Sequence, residues 1–338
     1  MIPIDITGLT RDDAMHLYQE MLRIRRFEDR VYQLFLKGEL PGTLHQYQGQ
    51  EAVAVGACQS LNSDPKNMDW ITSTHRPHGH AIAKGVSMRG AMAELYGKAT
   101  GCCGGKGGSM HLGDPDVGMI PAIAIVAGGI SVVSGLGLAF KLKKTGQVAL
   151  CFFGEGATNE GAFHEGLNFA AVQKLPIVYV CENNIYGAST PFHQTSLVTD
   201  VADRAAVYGI PSVIVDGMDV VAVRTAVAEA RARAAAGDGP TLIEAKTYRF
   251  AGHSRGDARG YRTREEEAEW ADKDPIERMA LAIISTGLAD AEALAAVRLA
   301  VDTELEDSVE FSRNSPDPDP SEALTDAYAT PITIGASS

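Results

Sequence analysis

The apolar positions of this chain change period along its length. Residues 148–153 form an unbroken apolar run, and 176–181 form a second one rich in β-branched side chains. Both read as buried strands. Between them, 157–174 carries Phe163, Leu167, Ala170 and Ala171 at helical spacing, which makes Gly154-Glu155-Gly156 a turn. A strand, a crossover helix and a strand in this order predict a right-handed βαβ unit. Further strands are predicted at 68–72, 212–215 and 241–246. Helices are predicted at 14–36, 49–60, 89–98, 200–208, 220–236, 265–286 and 289–311. The alternation predicts an α/β class: a doubly wound, mostly parallel sheet flanked by helices, with helical N- and C-terminal extensions. Residues 1–328 read as a single domain and 329–338 as a loose tail.

Local signals refine this. Thr10 with Asp13 three residues on is a helix N-cap pattern, and Arg23, Arg25 and Arg26 on that first helix read as a solvated or interface face. Residues 119–140 hold 22 residues without a charge, long enough to span a bilayer. Pro121, four glycines and the lack of a positive cluster on the N-terminal side favour a buried, glycine-rich helix packed against another chain. Residues 250–264 form a long, charged, glycine-bearing stretch with no apolar period, a functional or disordered loop.

Ligands of doubly wound sheets sit at the carboxyl ends of the strands. Here those ends carry Glu155 and Asn183-Asn184. A carboxylate, an amide oxygen and a backbone carbonyl of the 185–187 turn suit a hard cation such as Mg²⁺ that shares phosphate oxygens. Gly154 and Gly156 let a phosphate approach backbone N–H groups at a helix start. Taken alone, the same residues fit a strand-end turn without any ligand. A literal Gly-Asp-Gly at 237–239 lies between a helix and a strand and reads as a helix-ending turn. The run Ser73-Thr74-His75-Arg76-Pro77-His78-Gly79-His80 fits a polar surface turn, a metal site, or an arginine gripping a phosphate bidentately. The run 101–108 (GCCGGKGG) fails the Walker pattern, with Thr100 and Gly107 in the wrong slots. The dinucleotide pattern fails at Phe140 and again at Asn159, so nucleotide readings lose their support.

Net charge is −13 over 338 residues, which argues against nucleic acid as a partner. Cysteines 58, 102, 103, 151 and 181 show no zinc spacing, and Cys151 and Cys181 sit in predicted core strands. The opening MIPIDITGLT is neither a signal nor a transit peptide, so a cytoplasmic location without a membrane is expected.

Between Gly156 and Asn183 lie 26 residues, 157–182. That spacing resembles the thiamine diphosphate fingerprint Gly-Asp-Gly to Asn-Asn, with Glu155 where Asp is usual. HQYQGQEA (45–52), STHRPHGH (73–80), GKGGSMH (105–111) and YRFAGHSRGD with YRTREE (248–266) lie in the same order as in a known family. The resemblance covers nearly all of residues 10–328. The chain resembles the E1 α subunit of thiamine diphosphate-dependent 2-oxo acid and acetoin dehydrogenase complexes. HGHAIAKG and KATGCCGGKGGSMH are nearer to the acetoin type.

The resemblance implies the thiamine diphosphate-binding fold, with Mg²⁺ held by Glu155, Asn184 and the Tyr186 carbonyl. It implies a diphosphate held by Arg76 and the backbone at Gly156-Ala157. It puts His75 beside the cofactor, Val126 against the aminopyrimidine, and Ala124 at a position where glycine is common. His253 would lie near the diphosphate and the reacting carbon, and His45 would face the substrate. The implied partners are an E1 β subunit in an α₂β₂ assembly, which brings the pyrimidine-facing glutamate, and a lipoyl-bearing E2. Acetoin is the first substrate expected. Pyruvate or a branched-chain 2-oxo acid is the alternative, and a non-catalytic scaffold a third reading.

Overall fold

Five strands build the central sheet of the computed structural model, which describes residues 2–254 and 256–326. They are β1 (Trp70–Thr72), β2 (Ala149–Gly154), β3 (Ile177–Asn183), β6 (Ser212–Asp216) and β7 (Thr241–Lys246), in spatial order β1-β2-β3-β7-β6. All neighbours are parallel. A two-stranded antiparallel ribbon, β4 (Tyr186–Gly187) with β5 (Thr190–Pro191), follows β3.

Because helices cover both faces, the central strands β2 and β3 are apolar in continuous runs, 149–153 and 177–181, rather than alternately. Leu150, Phe152, Val178 and Val180 enter one core, and Ala149, Cys151, Phe153, Ile177, Tyr179 and Cys181 enter the other. The two-residue period of a strand therefore feeds two cores. The first core is closed by α1 (Arg11–Leu36), α2 (Glu51–Cys58), α3 (His78–Lys84), α4 (Met88–Leu95), α8 (Val220–Ala235), α10 (Pro275–Ser285) and α11 (Ala291–Asn314). The second is closed by α5 (Gly128–Lys143) and α6 (Gly161–Val172). Two shorter helices, α7 (Phe192–Thr195) and α9 (Arg264–Ala271), lie at the carboxyl side of the sheet's connections.

Several expectations are met locally. Thr10 and Asp13 form a reciprocal capping box on α1, and Gly237, with φ +86°, follows the end of α8. Others are corrected. The uncharged run 119–140 is not one helix. Residues 120–127 are loop, α5 begins only at Gly128, and Ile125 and Val126 are 76% and 54% exposed. Among the described residues no helix is long and apolar enough to cross a membrane. The predicted helix 265–286 is two helices, because Asp274 caps a new start and Pro275 occupies its first turn. Residues 201–208 wind as a tighter 3₁₀ turn rather than an α-helix.

Arg23 and Arg25 are largely buried rather than solvated, while Arg26 stays exposed, and all three form ion pairs. Arg23 pairs with Glu20 and Glu304, Arg25 with Glu51 and Asp274, and Arg26 with Asp302. They clasp α1 to α2, α11 and the start of α10. The 73–80 run is not a surface turn either: His78 and His80 lie in the first turn of α3 and are fully buried. The glycine-dense loop 101–108 wraps a protein carboxylate. Glu94, itself buried, accepts from the N–H groups of Cys103, Gly105, Gly107 and Gly108 at 2.7–3.0 Å. The tail at 329–338 lies outside the described residues.

Candidate active site

At the carboxyl ends of β1, β2 and β3 lies a cavity of about 370 Å³. The segment after β1 contributes Ser73, Thr74, His75 and Arg76, and the turn after β2 contributes Gly154, Glu155, Gly156 and Ala157. The segment after β3 gives Asn184 and Tyr186, and the loop before α5 gives Ala124 and Val126. His253 and Arg249 close it from the loop after β7. His45 is placed just behind, its ring 5.0 Å from that of His75 and 5.1 Å from that of His253.

One corner is built of oxygens. Glu155 is 1% exposed, and burial pushes its carboxyl up to about 7. Its Oε2 accepts from the Asn184 N–H at 3.1 Å. Asn184 turns its Nδ2 to Gln50 Oε1 at 2.9 Å, which leaves the amide oxygen on the Tyr186 side. Between them Ile185 has φ +65°, a left-handed value that a β-branched residue adopts only when its surroundings impose it. Such strain marks functional turns. A Cβ built on Gly154 would meet nothing within 4 Å, so the space at this turn is not filled by the protein itself.

The opposite wall is cationic. Arg76 and Arg249 are buried, and Arg262 nearly so. Arg76 donates to the carbonyls of Gln46 and, at 3.0 Å, His253. Arg249 donates to the carbonyls of Ala251 and Ala188 and to the Tyr261 hydroxyl. Arg262 lies over the rings of Tyr186, Tyr248 and Tyr261 at 5.2, 4.7 and 5.4 Å and donates to the Arg249 and Ala251 carbonyls. Among the described residues no carboxylate forms an ion pair with any of the three. Burial and the neighbouring Arg249 push Arg76 down to about 9. Burial, reinforced by Arg76, lowers His45 to about 4, His75 to about 2 and His253 to about 4. Among the described residues, buried nitrogens on all three rings, His45 Nδ1, His75 Nε2 and His253 Nδ1, have no hydrogen-bond partner. Buried cations without a contact ion pair, beside ring nitrogens without a partner, are what an anionic, hydrogen-bonding ligand satisfies.

Beneath the cavity, Glu182 Oε1 accepts a very short bond from the Tyr47 hydroxyl and lies 3.1 Å from His80 Nε2. His80 Nδ1 is 2.7 Å from Ser73 Oγ, and its ring stacks on Phe152. His78 bridges Glu28 and Ser109, at 2.9 Å to each. These two histidines thus anchor α3 rather than bind a metal. Gln50, Glu182 and Arg249 line the cavity without having been predicted as site residues. Gln50 and Arg249 stood inside the HQYQGQEA and YRFAGH blocks, and Glu182 adjoins Asn183, so position beside a singled-out residue was the available signal.

A family model described as Dehydrogenase E1 component matches residues 19–321. The α subunit of an acetoin:2,6-dichlorophenolindophenol oxidoreductase from Bacillus subtilis (strain 168) is 50% identical over 324 residues, covering 96% of each chain. A protein of the same name from Cupriavidus necator is 42% identical over 323 residues, 95% of this chain and 96% of its own. The pyruvate dehydrogenase E1 component subunit alpha of Porphyra purpurea is 42% identical over 324 residues, covering 93% and 92%.

Proposed function

The chain belongs to the dehydrogenase E1 component family, and on that premise we propose that it is the α subunit of an α₂β₂ dehydrogenase that cleaves acetoin. The acyl fragment passes to a lipoyl-bearing E2. As an E1 α subunit the chain is part of a thiamine diphosphate-dependent oxidoreductase. Residues 1–328 act in this reading as one domain, in the cytoplasm.

The observation that carries the reading is the pairing of two opposite walls. Arg76 and Arg249, which among the described residues form no ion pair, line the same cavity as a corner where a buried carboxylate and an amide oxygen meet, and Arg262 donates to the Arg249 carbonyl. A diphosphate bridged to a divalent cation fits both at once. Glu155, Asn184 and the Tyr186 carbonyl would hold Mg²⁺. Arg76 and the N–H groups at Gly156 and Ala157 would hold the diphosphate, while Ala124 and Val126 wall the aminopyrimidine. Thiamine diphosphate, when bound, supplies the electron sink for cleaving a C–C bond beside a carbonyl.

The protein's own part is positioning and proton handling. His75 and His253 flank the cofactor space, and His45 backs them. Burial is the main cause of their low proton affinity, so the rings stay neutral and able to accept a proton, and an anion that offsets Arg76 raises them only in part. A glutamate that engages the aminopyrimidine comes from the β subunit, so the α chain alone is inactive.

Acetoin is favoured by the names of two of the relatives above. A 2-oxo acid such as pyruvate is the second reading, since its carboxylate also suits a cationic wall. Dye reduction by the chain co-expressed with its β partner, with Mg²⁺ and thiamine diphosphate, separates them. Faster turnover of acetoin supports the proposal, and preference for pyruvate or a branched-chain 2-oxo acid replaces it. Failure to bind the cofactor at all would sink the enzyme reading. Glu155→Asp tests the metal corner: unchanged or tighter cofactor binding means Glu155 serves as an aspartate would, and a large loss means the corner is built around the longer side chain.

A further inference from the structure

The loop that fails as a phosphate cradle carries two adjacent cysteines outside the cavity. Cys102 and Cys103 are both partly exposed, whereas Cys58, Cys151 and Cys181 are buried. A sulfur of each and a carboxylate oxygen of Glu94 lie within 4.8 Å of one another. Among the described residues this is the one such cluster of three His, Cys, Asp or Glu side chains. The Cys103 sulfur also faces the carbonyls of His111 at 3.3 Å and Gly113 at 3.4 Å.

We propose that Cys102 and Cys103 form a thiophilic site that takes a trivalent arsenical or a soft divalent cation through both sulfurs. Three features support it. First, adjacent residues have Cα atoms about 3.8 Å apart, shorter than the roughly 4.4–6.8 Å that disulfides span. The pair therefore resists closing on itself and stays a dithiol. Second, the loop is fixed before any ligand arrives, because Glu94 accepts four of its N–H groups. A fixed dithiol loses less freedom on binding than one on a loose loop. Third, the other thiols do not compete. Cys58, Cys151 and Cys181 are buried, out of reach of an added arsenical, whereas Cys102 and Cys103 are partly exposed. The bond between the pair draws Cys103 down and raises Cys102, so Cys103 is the thiol that reacts first.

With an organic arsenoxide the step balances without an oxidant. Two As–S bonds form, the As=O bond breaks, and the two thiol protons leave with that oxygen as water. With a divalent cation, two protons are released as two metal–sulfur bonds form.

The site reaches the cavity wall by a short path. His111 Nδ1 lies 2.8 Å from the Ala122 carbonyl, and the Ala122 N–H donates to Leu112 at 2.8 Å. Ile123 and Ala124, which follow, line the cavity.

The test is phenylarsine oxide added at equimolar amounts to the α/β complex, read by the intact mass of the α chain and by thiol titration. One arsenical per α chain, with two thiols lost and full reversal by a competing dithiol, is the expected result. Cys102→Ser and Cys103→Ser should each abolish the adduct while leaving acetoin or pyruvate turnover within about twofold, since neither residue lines the cavity. Either variant alone suffices if the other fails to fold. An adduct that survives in both variants, or wild-type thiols that titrate without binding arsenic, would overturn the proposal. Neither result depends on which substrate the enzyme uses.

Discussion

Two sets of arginines in this molecule meet opposite surroundings. On α1, Arg23, Arg25 and Arg26 each face carboxylates, some from residues more than 240 positions away. Around the cavity, Arg76, Arg249 and Arg262 face backbone carbonyls and tyrosine rings instead. The electrostatic outcome differs in sign. Burial would lower Arg25, but Glu51 and Asp274 more than offset it and the guanidinium is raised. Arg76, equally buried and beside Arg249, is lowered to about 9. The glycine loops repeat the contrast. Four N–H groups of 101–108 are already taken by Glu94, whereas the sparser Gly154-Glu155-Gly156 turn opens onto the cavity. A group answered within the chain holds the fold, and a group left unanswered waits for a ligand.

The largest effect should come from the fold side. Arg25→Met strands Glu51, which is fully buried, and half-buried Asp274. Breaking a buried pair from one side should cost about 3–5 kcal/mol in denaturant unfolding. Diphosphate affinity should move far less. Next, Arg76→Gln removes a cation that no carboxylate touches but leaves the Gln46 and His253 carbonyls short of a donor, so stability should fall by about 1–3 kcal/mol, less than for Arg25→Met. Thiamine diphosphate affinity should fall roughly 100-fold, about 2.7 kcal/mol, by calorimetry on the α/β complex. If the two variants exchanged phenotypes, the distinction drawn above would fail.

The smallest effect is in pH. His45, His75 and His253 are held below their unfolded value near 6.5. Their contribution is complete above that value and is lost as pH falls from about 6.5 through about 4. Glu155 runs the other way. Its carboxyl is raised to about 7, so its contribution is present below its unfolded value and lost as pH rises through 7. Pyrophosphate with Mg²⁺ should flatten both slopes, because the anion raises the histidines and the cation lowers Glu155. Melting curves between pH 4 and 8, with and without the pair, check this.

Much of the sheet was legible because a buried parallel strand is an apolar run, and 148–153, 176–181 and 241–246 lie within two residues of β2, β3 and β7. The segment 120–127 was not. An uncharged Ala/Ile/Val stretch looks alike whether it is a helix or the wall of a cavity. The break before Pro275 hid inside a polar helical pattern. Partners such as Glu304 for Arg23 cannot be read from local period, since only tertiary packing brings them together. In the cavity, Glu155 and Asn184 were legible from their spacing across a βαβ unit. Glu182 was hidden because a single acid at a strand end carries no pattern of its own, and its role depends on Tyr47 and His80 arriving from elsewhere.

The central claim is that the cavity is built around an anion paired with a cation. Titrating the α/β complex by calorimetry with thiamine diphosphate and with thiamine, each with and without Mg²⁺, tests it most directly. The account predicts that the diphosphate binds at least about 100-fold tighter than thiamine, and that most of this advantage vanishes when Mg²⁺ is removed. Equal affinity for the two, with no dependence on Mg²⁺, would contradict it.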